Sequence, residues 1–456
     1  MDALPIDIEL FRKNPEVLYE SQRRRHKPVA DIDEVIELDK QWREELFKME
    51  QMRKEKNATD KAVGEKMKKK EDATELREKS VSLKNAIVGQ QEAVDAKVVA
   101  IVKKVNTIGA IVADFVPRFA DEKDNAVVRT GGTKREEQGL LSHIDLIRMI
   151  DGAEYQQAQV VAGSRAYFLK GDAVLLCMGL QNFALQFLAS KSYSPLQTPF
   201  FMNQSIMGEC AQLEEYDETL YKMTGDGEDK YLIATSEQPI SCFHRGEWMN
   251  PKELPKRYAG TSTCFRKEAG SHGRDQLGIF RIHQFEKIEQ FCVTDPEKSW
   301  EMMDEMCKVS EEFYLKLGFH FNVVAIVAGA LNNAAAAKYD IEAWFPGSGA
   351  FRELVSCSNC VDYQSRRLRV RYGQQAVAAN SDETKKYVHM LNATLCAVQR
   401  TFCCLLETYQ TPDGIRVPEC LRCYVGGRDL IPYKFTKAQI DELDAKAAKA
   451  QGKKAK

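Results

Sequence analysis

Leu76, Leu83, Ile87, Val94, Val98, Ile101, Val105 and Ile108 recur at intervals of three, four and seven residues. On a helix that spacing keeps every one of them on a single seam, and such a seam is stable only when a second helix covers it. The covering helix is upstream: Val35, Leu38, Trp42, Met49 and Met52 follow the same spacing. Between the two runs, KMKKKEDATE from Lys66 is a polar reversal. The pattern therefore predicts an antiparallel coiled-coil hairpin over residues 31 to 108. Two helices of roughly 30 residues, rising 1.5 Å per residue, project about 45 Å, far enough to reach a distant part of a large ligand.

From Arg43 to Lys70 ten Lys or Arg stand against six Asp or Glu, a local surplus that suits phosphate contact. Charge alone fits a solvated coiled-coil surface better. The net charge of the whole chain is −2, so a nucleic-acid partner needs exactly such a local basic surface. There is no run of some 18 apolar residues, and Asp2, Asp7 and Glu9 sit where a mitochondrial presequence would be basic. The expectation is a cytoplasmic protein with no membrane segment. Thirteen cysteines, an odd number, read as reduced thiols. The pairs Cys357/Cys360 and Cys420/Cys423 are about 60 residues apart, too far for a compact zinc ribbon.

Past Ile111 the pattern changes, with Pro117, Gly131 and Gly132 marking a joining segment. The expected division is a helical domain over 1–112, a larger domain over 113–440, and a basic, low-complexity tail over 441–456, expected to be disordered. In the larger domain FALQFLASKSYSPLQTPFFM passes from an apolar helix into an extended segment, and RIHQFEKIEQF and FRELVSCSNC read as strands. Helices and strands do not alternate regularly, so the fold class is α+β, an antiparallel sheet flanked by helices.

Neither GxxxxGK[ST] nor a strand-borne GxGxxG occurs, so a nucleotide would have to be held by Arg and aromatic side chains. The segment TCFRKEAGSHGRDQLGIFRIHQFEKIEQF offers them: two strands joined by a polar loop from Ala269 to Gly278. Alternation puts Arg266 and Glu268 on one face of the first strand, and Arg281, His283, Phe285, Lys287 and Glu289 on one face of the second. Arg can neutralise an α-phosphate, Phe can stack a purine, and Glu can bind an ammonium or hydroxyl group. A mixed-charge surface hairpin accounts for these residues equally well.

An ordered set of segments settles that choice: AGSRAYFLKGDAVLL with Pro199, ATSEQP, the hairpin above, KYDIEAWFP, FRELVSCSNC, HMLNATLCAVQRTFCCLLETYQ and VPECLRCYVGG. Over nearly the whole chain they resemble the class II aminoacyl-tRNA synthetases, and closely the seryl branch in its eukaryotic-type form. The resemblance implies ATP-dependent ligation of L-serine to tRNA(Ser) through a seryl-adenylate, and leaves tRNA(Sec) open as a second substrate. It assigns Thr235, Glu237, Glu289, Asn392 and Thr394 to the serine pocket. For ATP it assigns Arg266 to the α-phosphate, Glu268 to the adenine edge, Arg281 and Ile282 to the nucleotide wall, Phe285 to stacking and Arg400 to the γ-phosphate. Glu353 and Ser356 would hold Mg²⁺, and Arg266, Glu353 and Arg400 would carry catalysis. The hairpin becomes the arm that grips the long variable arm of the tRNA. The apolar helix from about Ala173 to Ser190, which on its own suits packing inside one subunit, becomes a homodimer interface. The intact TxE element opposes the zinc-dependent branch of the family.

Three other readings compete with this one. A non-catalytic paralogue serving as an RNA-binding scaffold should have lost a charged catalytic position, but Arg266, Glu289, Glu353 and Arg400 are all present. A serine:carrier-protein ligase should lack the hairpin. A synthetase for another amino acid separates from serine only by assay.

Overall fold

A computed structural model of the chain describes residues 3–210, 219–225, 227–268, 278–373, 386–443 and 445. Two compact units emerge, Met1–Val112 and Ala113–Lys456. The tail expected over 441–456 lies almost entirely outside the described residues, as does most of the polar loop from Ala269.

In the first unit, helices α1 (Ile8–Lys13) and α2 (Pro15–Arg24) precede the hairpin of α3 (Ala30–Lys68) and α4 (Thr74–Val105). Every seam residue named above is buried or half-buried, and Val94, Ile101 and Val105 are fully covered. The upstream helix has 39 residues, longer than the seam alone indicated. The extra turns begin directly after Pro28, and the helix continues beyond Met52 on polar residues. One of these, Thr59, is buried and turns its hydroxyl back onto the Glu55 carbonyl at 2.9 Å. At the reversal the Asp72 carboxylate accepts from the Thr74 backbone N–H at 3.0 Å and its hydroxyl at 2.6 Å, satisfying a donor that the start of α4 leaves open. Polar pairs flank the apolar seam, Lys79 with Glu55 at 2.8 Å and Gln90 with Glu45 at 2.6 Å.

The second unit is built on an eight-stranded sheet. Its strands are β1 (Ala126–Gly131), β2 (Ser194–Gln197), β3 (Lys256–Phe265), β4 (Gln284–Thr294), β5 (Phe321–Ala325), β6 (Ala337–Phe345), β7 (Ala350–Asn359) and β8 (His389–Ala397). They lie in the order β1-β5-β6-β7-β8-β4-β3-β2. Every pairing is antiparallel except that of β2 with β3, at one edge. The α+β antiparallel class is as expected.

Three helices cover the sheet: α5 (Asp172–Ser190), α6 (Ser299–Lys316) and α7 (Val398–Tyr409). Gln290 of β4 donates to the Met306 carbonyl and the Ser310 hydroxyl of α6 at 3.1 and 2.9 Å. The even positions of β4 therefore face helices, which leaves Phe285, Lys287 and Glu289 on the other face. Helix α5 is apolar and long enough to cross a membrane. Here Leu176, Leu180, Ala184 and Leu188 are buried and Phe183 stacks on Phe313 of α6 at 5.4 Å, as a core helix does.

Behind the cleft described next, the fully buried Glu407 of α7 holds two other segments. Its carboxylate accepts from the backbone N–H of His143 (2.9 Å) and of Ser348 (2.8 Å) and from the Ser348 hydroxyl (2.7 Å), and pairs with His143 Nδ1 at 2.7 Å. Burial pushes this carboxyl up, but the bonds from His143 and Ser348 outweigh it and hold it below the usual range. His143 in turn packs against Phe280, a wall of the cleft.

Candidate active site

The residue types that bind charged ligands converge on the sheet face opposite α6. Arg266, Glu268, Arg281, Ile282, Phe285, Lys287, Glu353, Thr394, Gln399 and Arg400 line one cleft there. Of the sequence-derived ATP residues, all but Ser356 are among them.

Two irregularities in neighbouring strands create this convergence. Lys287 pairs with Ala397 and Glu289 with Thr394, so the register slips by one residue at Leu395. Glu342 pairs with Glu353 and Asp340 with Ser356, so it slips again at Leu354. Directly opposed residues share a face, and each bulge brings residues three apart onto the same side. Thr394 joins Ala397 in the cleft, and Ser356 comes onto the face of Glu353 without lining the cleft. Without the slips, strict alternation would turn one of each pair into the helices.

Arg266 and Glu268 lie just past the end of β3 rather than within it. The Arg266 guanidinium covers the Phe285 ring at 5.3 Å, with Nε donating to the Ala234 carbonyl at 3.3 Å. Glu268 has φ +49°, a conformation a side chain resists by about 1–2 kcal/mol. Arg165 holds its carbonyl at 3.0 Å and Arg281 its carboxylate at 3.6 Å. His283, which alternation placed beside Phe285, instead points its ring at the Arg266 carbonyl, 2.9 Å away.

On the opposite wall Arg400 lies over Phe280 at 4.9 Å and pairs with Glu353 at 3.5 Å. Burial, then the neighbouring charges of Arg266 and Arg281, lower the Arg400 pKa against the opposing pull of Glu353. Burial acts to raise the Glu353 carboxyl, but Arg400, Lys338, Arg266 and Lys287 together hold it below the usual range. It is ionised at neutral pH, and its side chain is 46% exposed to the cleft. Ser356 lies behind it, bonded to Asp340, whose carboxyl burial pushes up to about 7.

Lys287 and Thr394 of the cleft also belong to a buried polar cluster. The Glu289 carboxylate, 2% exposed, accepts from the hydroxyls of Thr235 at 3.1 Å and Thr394 at 3.3 Å, both on Oε1. Lys287 contacts the same oxygen and donates to the Thr235 hydroxyl at 3.2 Å. A glycine stands opposite: Gly260 pairs with Glu289, and a Cβ there would meet Ile240 Cδ1 at 2.4 Å and the Ser236 hydroxyl at 2.8 Å, so those side chains would have to shift. Its missing side chain lets the Thr235–Glu237 turn approach the sheet. One step further, Glu237 Oε1 accepts from Asn392 at 3.0 Å and Gln364 at 2.8 Å. The five residues of the serine assignment thus form one connected cluster.

Sequence reasoning missed two members. Lys287 was on the correct face, and its alternation with Glu289 was the available signal. Gln364 sits in the short helix Tyr363–Leu368, where no local pattern points to the cluster. Cys357 and Cys360 are packed thiols, the first bonded to the Met303 carbonyl and the second receiving Asn392, whereas Cys420 is half-buried on the Lys316 carbonyl and Cys423 is exposed. Among the described residues no three His, Cys, Asp or Glu are grouped to hold a metal ion.

A largely antiparallel sheet carrying an Arg/Phe/Arg cleft joined to a buried polar cluster is the core of a class II aminoacyl-tRNA synthetase, and the class II core family for Gly, His, Pro, Ser and Thr matches residues 221–409. The seryl-tRNA synthetase N-terminal domain family matches residues 6–112. The chain belongs to the seryl-tRNA synthetases. It is 52% identical over 434 residues to a serine–tRNA ligase of Helianthus annuus, covering 94% of this chain and 98% of that one. With the cytoplasmic serine–tRNA ligase of Arabidopsis thaliana the identity is 50%, over 98% and 100% of the two chains. Among solved structures, the cytoplasmic serine–tRNA ligase of Naegleria fowleri with AMP superposes with a TM-score of 0.85 at 45% identity, covering 94% of this chain and 99% of that one. The seryl-tRNA synthetase of Pyrococcus horikoshii with ATP superposes with a TM-score of 0.86 at 36% identity, covering 94% and 100%.

Proposed function

We propose that the chain is a cytoplasmic enzyme that activates L-serine with ATP and transfers it to the 3′ end of tRNA(Ser). The observation that carries this reading is the continuity of two sites, a cationic, Phe-walled cleft and, joined to it through Lys287 and Thr394, a buried polar cluster in which Thr235 and Thr394 meet at one oxygen of Glu289.

In the first step the serine carboxylate attacks the α-phosphate in line, forming the mixed anhydride and releasing pyrophosphate. Arg266 neutralises the α-phosphate and Phe285 stacks the adenine beside Glu268, Arg281 and Ile282. Arg400 receives the γ-phosphate. Glu353, which lines the cleft, with Ser356 behind it on the same sheet face, would hold Mg²⁺, which when bound would neutralise phosphate charge. In the second step the terminal ribose hydroxyl of the tRNA attacks the anhydride and AMP leaves. Residues 1–112 supply the tRNA arm, and residues 113–440 the catalytic domain. The exposed Leu175 and Met178 on α5 support a homodimer through that helix.

Amino-acid-dependent ATP–pyrophosphate exchange tests the substrate. Serine is expected to exceed alanine by about 10⁴-fold in kcat/KM, because alanine leaves buried polar groups without a partner. Exchange with another amino acid and none with serine would overturn the assignment.

A further inference from the structure

Three donors converge on Glu289 Oε1: the hydroxyls of Thr235 and Thr394 and the ammonium of Lys287. One carboxylate oxygen offers about two lone-pair directions, so that atom is saturated before any substrate arrives. On the reading above, the same carboxylate must also receive a group of the incoming serine. A serine group that binds at Oε1 therefore displaces a donor. Thr235 and Thr394 are short, β-branched side chains fixed by their backbone, whereas Lys287 has a four-carbon stem and lines the open cleft with Arg266, Phe285 and Glu353.

We propose that Lys287 changes partners during adenylation: it holds Glu289 while the amino-acid site is empty, and swings to the serine carboxylate and α-phosphate oxygens when the substrate ammonium replaces it. The inference rests on the assignment of the buried polar cluster to serine. Lys287 keeps the buried carboxylate paired in the meantime, which matters because an uncompensated charge at that depth is strongly unfavourable. Its destination lies in the cleft it already lines, beside Arg266 and Glu353. A cation is thereby delivered to the reacting phosphate only when an amino acid is present.

The test uses the full-length protein, Lys287→Met and ethanolamine, which carries the ammonium and hydroxyl of serine without its carboxylate. Wild type and variant are titrated at the same pH. Ethanolamine is expected to bind Lys287→Met about tenfold more tightly than wild type, because no resident cation has to be displaced. Serine-dependent exchange is expected to lose about 10²-fold in kcat, because the phosphate loses a donor. The tighter binding is a gain that a misfolded variant cannot produce. Unchanged or weaker ethanolamine binding would overturn the competition, and an unchanged kcat would overturn the phosphate contact. A wild-type protein inactive with serine would instead remove the pocket assignment, and the inference with it.

Discussion

Arg266→Ala is expected to abolish serine-dependent pyrophosphate exchange, with a loss of at least about 10³-fold in kcat. Arg266 lies at the junction of the two sites, its guanidinium over Phe285 at 5.3 Å and its Nε on the Ala234 carbonyl, beside the turn that presents Thr235. No other arginine in the cleft makes both contacts. Arg400 is on the opposite wall over Phe280, and Arg281 is drawn toward Glu268. The variant removes only a partly exposed side chain, so its melting temperature should stay within a few degrees of wild type. Exchange kinetics beside a thermal melt separate the two effects. Retention of even a tenth of the wild-type kcat would mean that the α-phosphate is held elsewhere.

Deleting the tip of the arm, residues 60 to 80, and closing the gap with a short Gly-Ser join, is expected to leave pyrophosphate exchange intact. Charging of serine tRNA should fall by about 10²-fold or more in kcat/KM. The cut suits the architecture, because Asp60 and Ser80 already face each other across the hairpin, with the Ser80 hydroxyl on the Asp60 carboxylate at 2.5 Å. The helices below the cut keep their seam, from Val35 to Met52 on one side and Leu83 to Val105 on the other. What is lost is a highly charged segment whose basic residues, Lys61, Lys66, Lys68, Lys69, Lys70, Arg77 and Lys79, stand beside six acidic ones. Each phosphate contact removed also flattens the salt dependence of tRNA binding, by a slope of roughly one. Equal loss of exchange and charging would refute the arm's role.

Local periodicity carried much of this architecture, because heptad spacing and strand alternation are properties of neighbouring residues. The seam from Leu76 to Ile108 announced the hairpin, and the alternation of Phe285, Lys287 and Glu289 placed them on one face. What alternation could not supply was the pair of register slips at Leu395 and Leu354. These are properties of two strands together, and without them Glu353 and Ser356 belong on opposite faces. The identity of the amino acid was likewise illegible to patterning. Thr235, Glu289 and Thr394 are far apart in the chain, and only the order of motifs linked them before the fold brought their oxygens within about 3 Å. Lys287 was passed over because a lysine on a strand ordinarily faces solvent, and its burial against Glu289 is a tertiary fact.

The measurement that tests the central claim most directly is charging of purified serine tRNA with labelled serine, by the full-length protein with ATP and Mg²⁺. Acid-precipitable serine should accumulate on that tRNA, and not on one of the same preparation lacking the long variable arm. Robust serine-dependent pyrophosphate exchange with no transfer to serine tRNA would contradict the account.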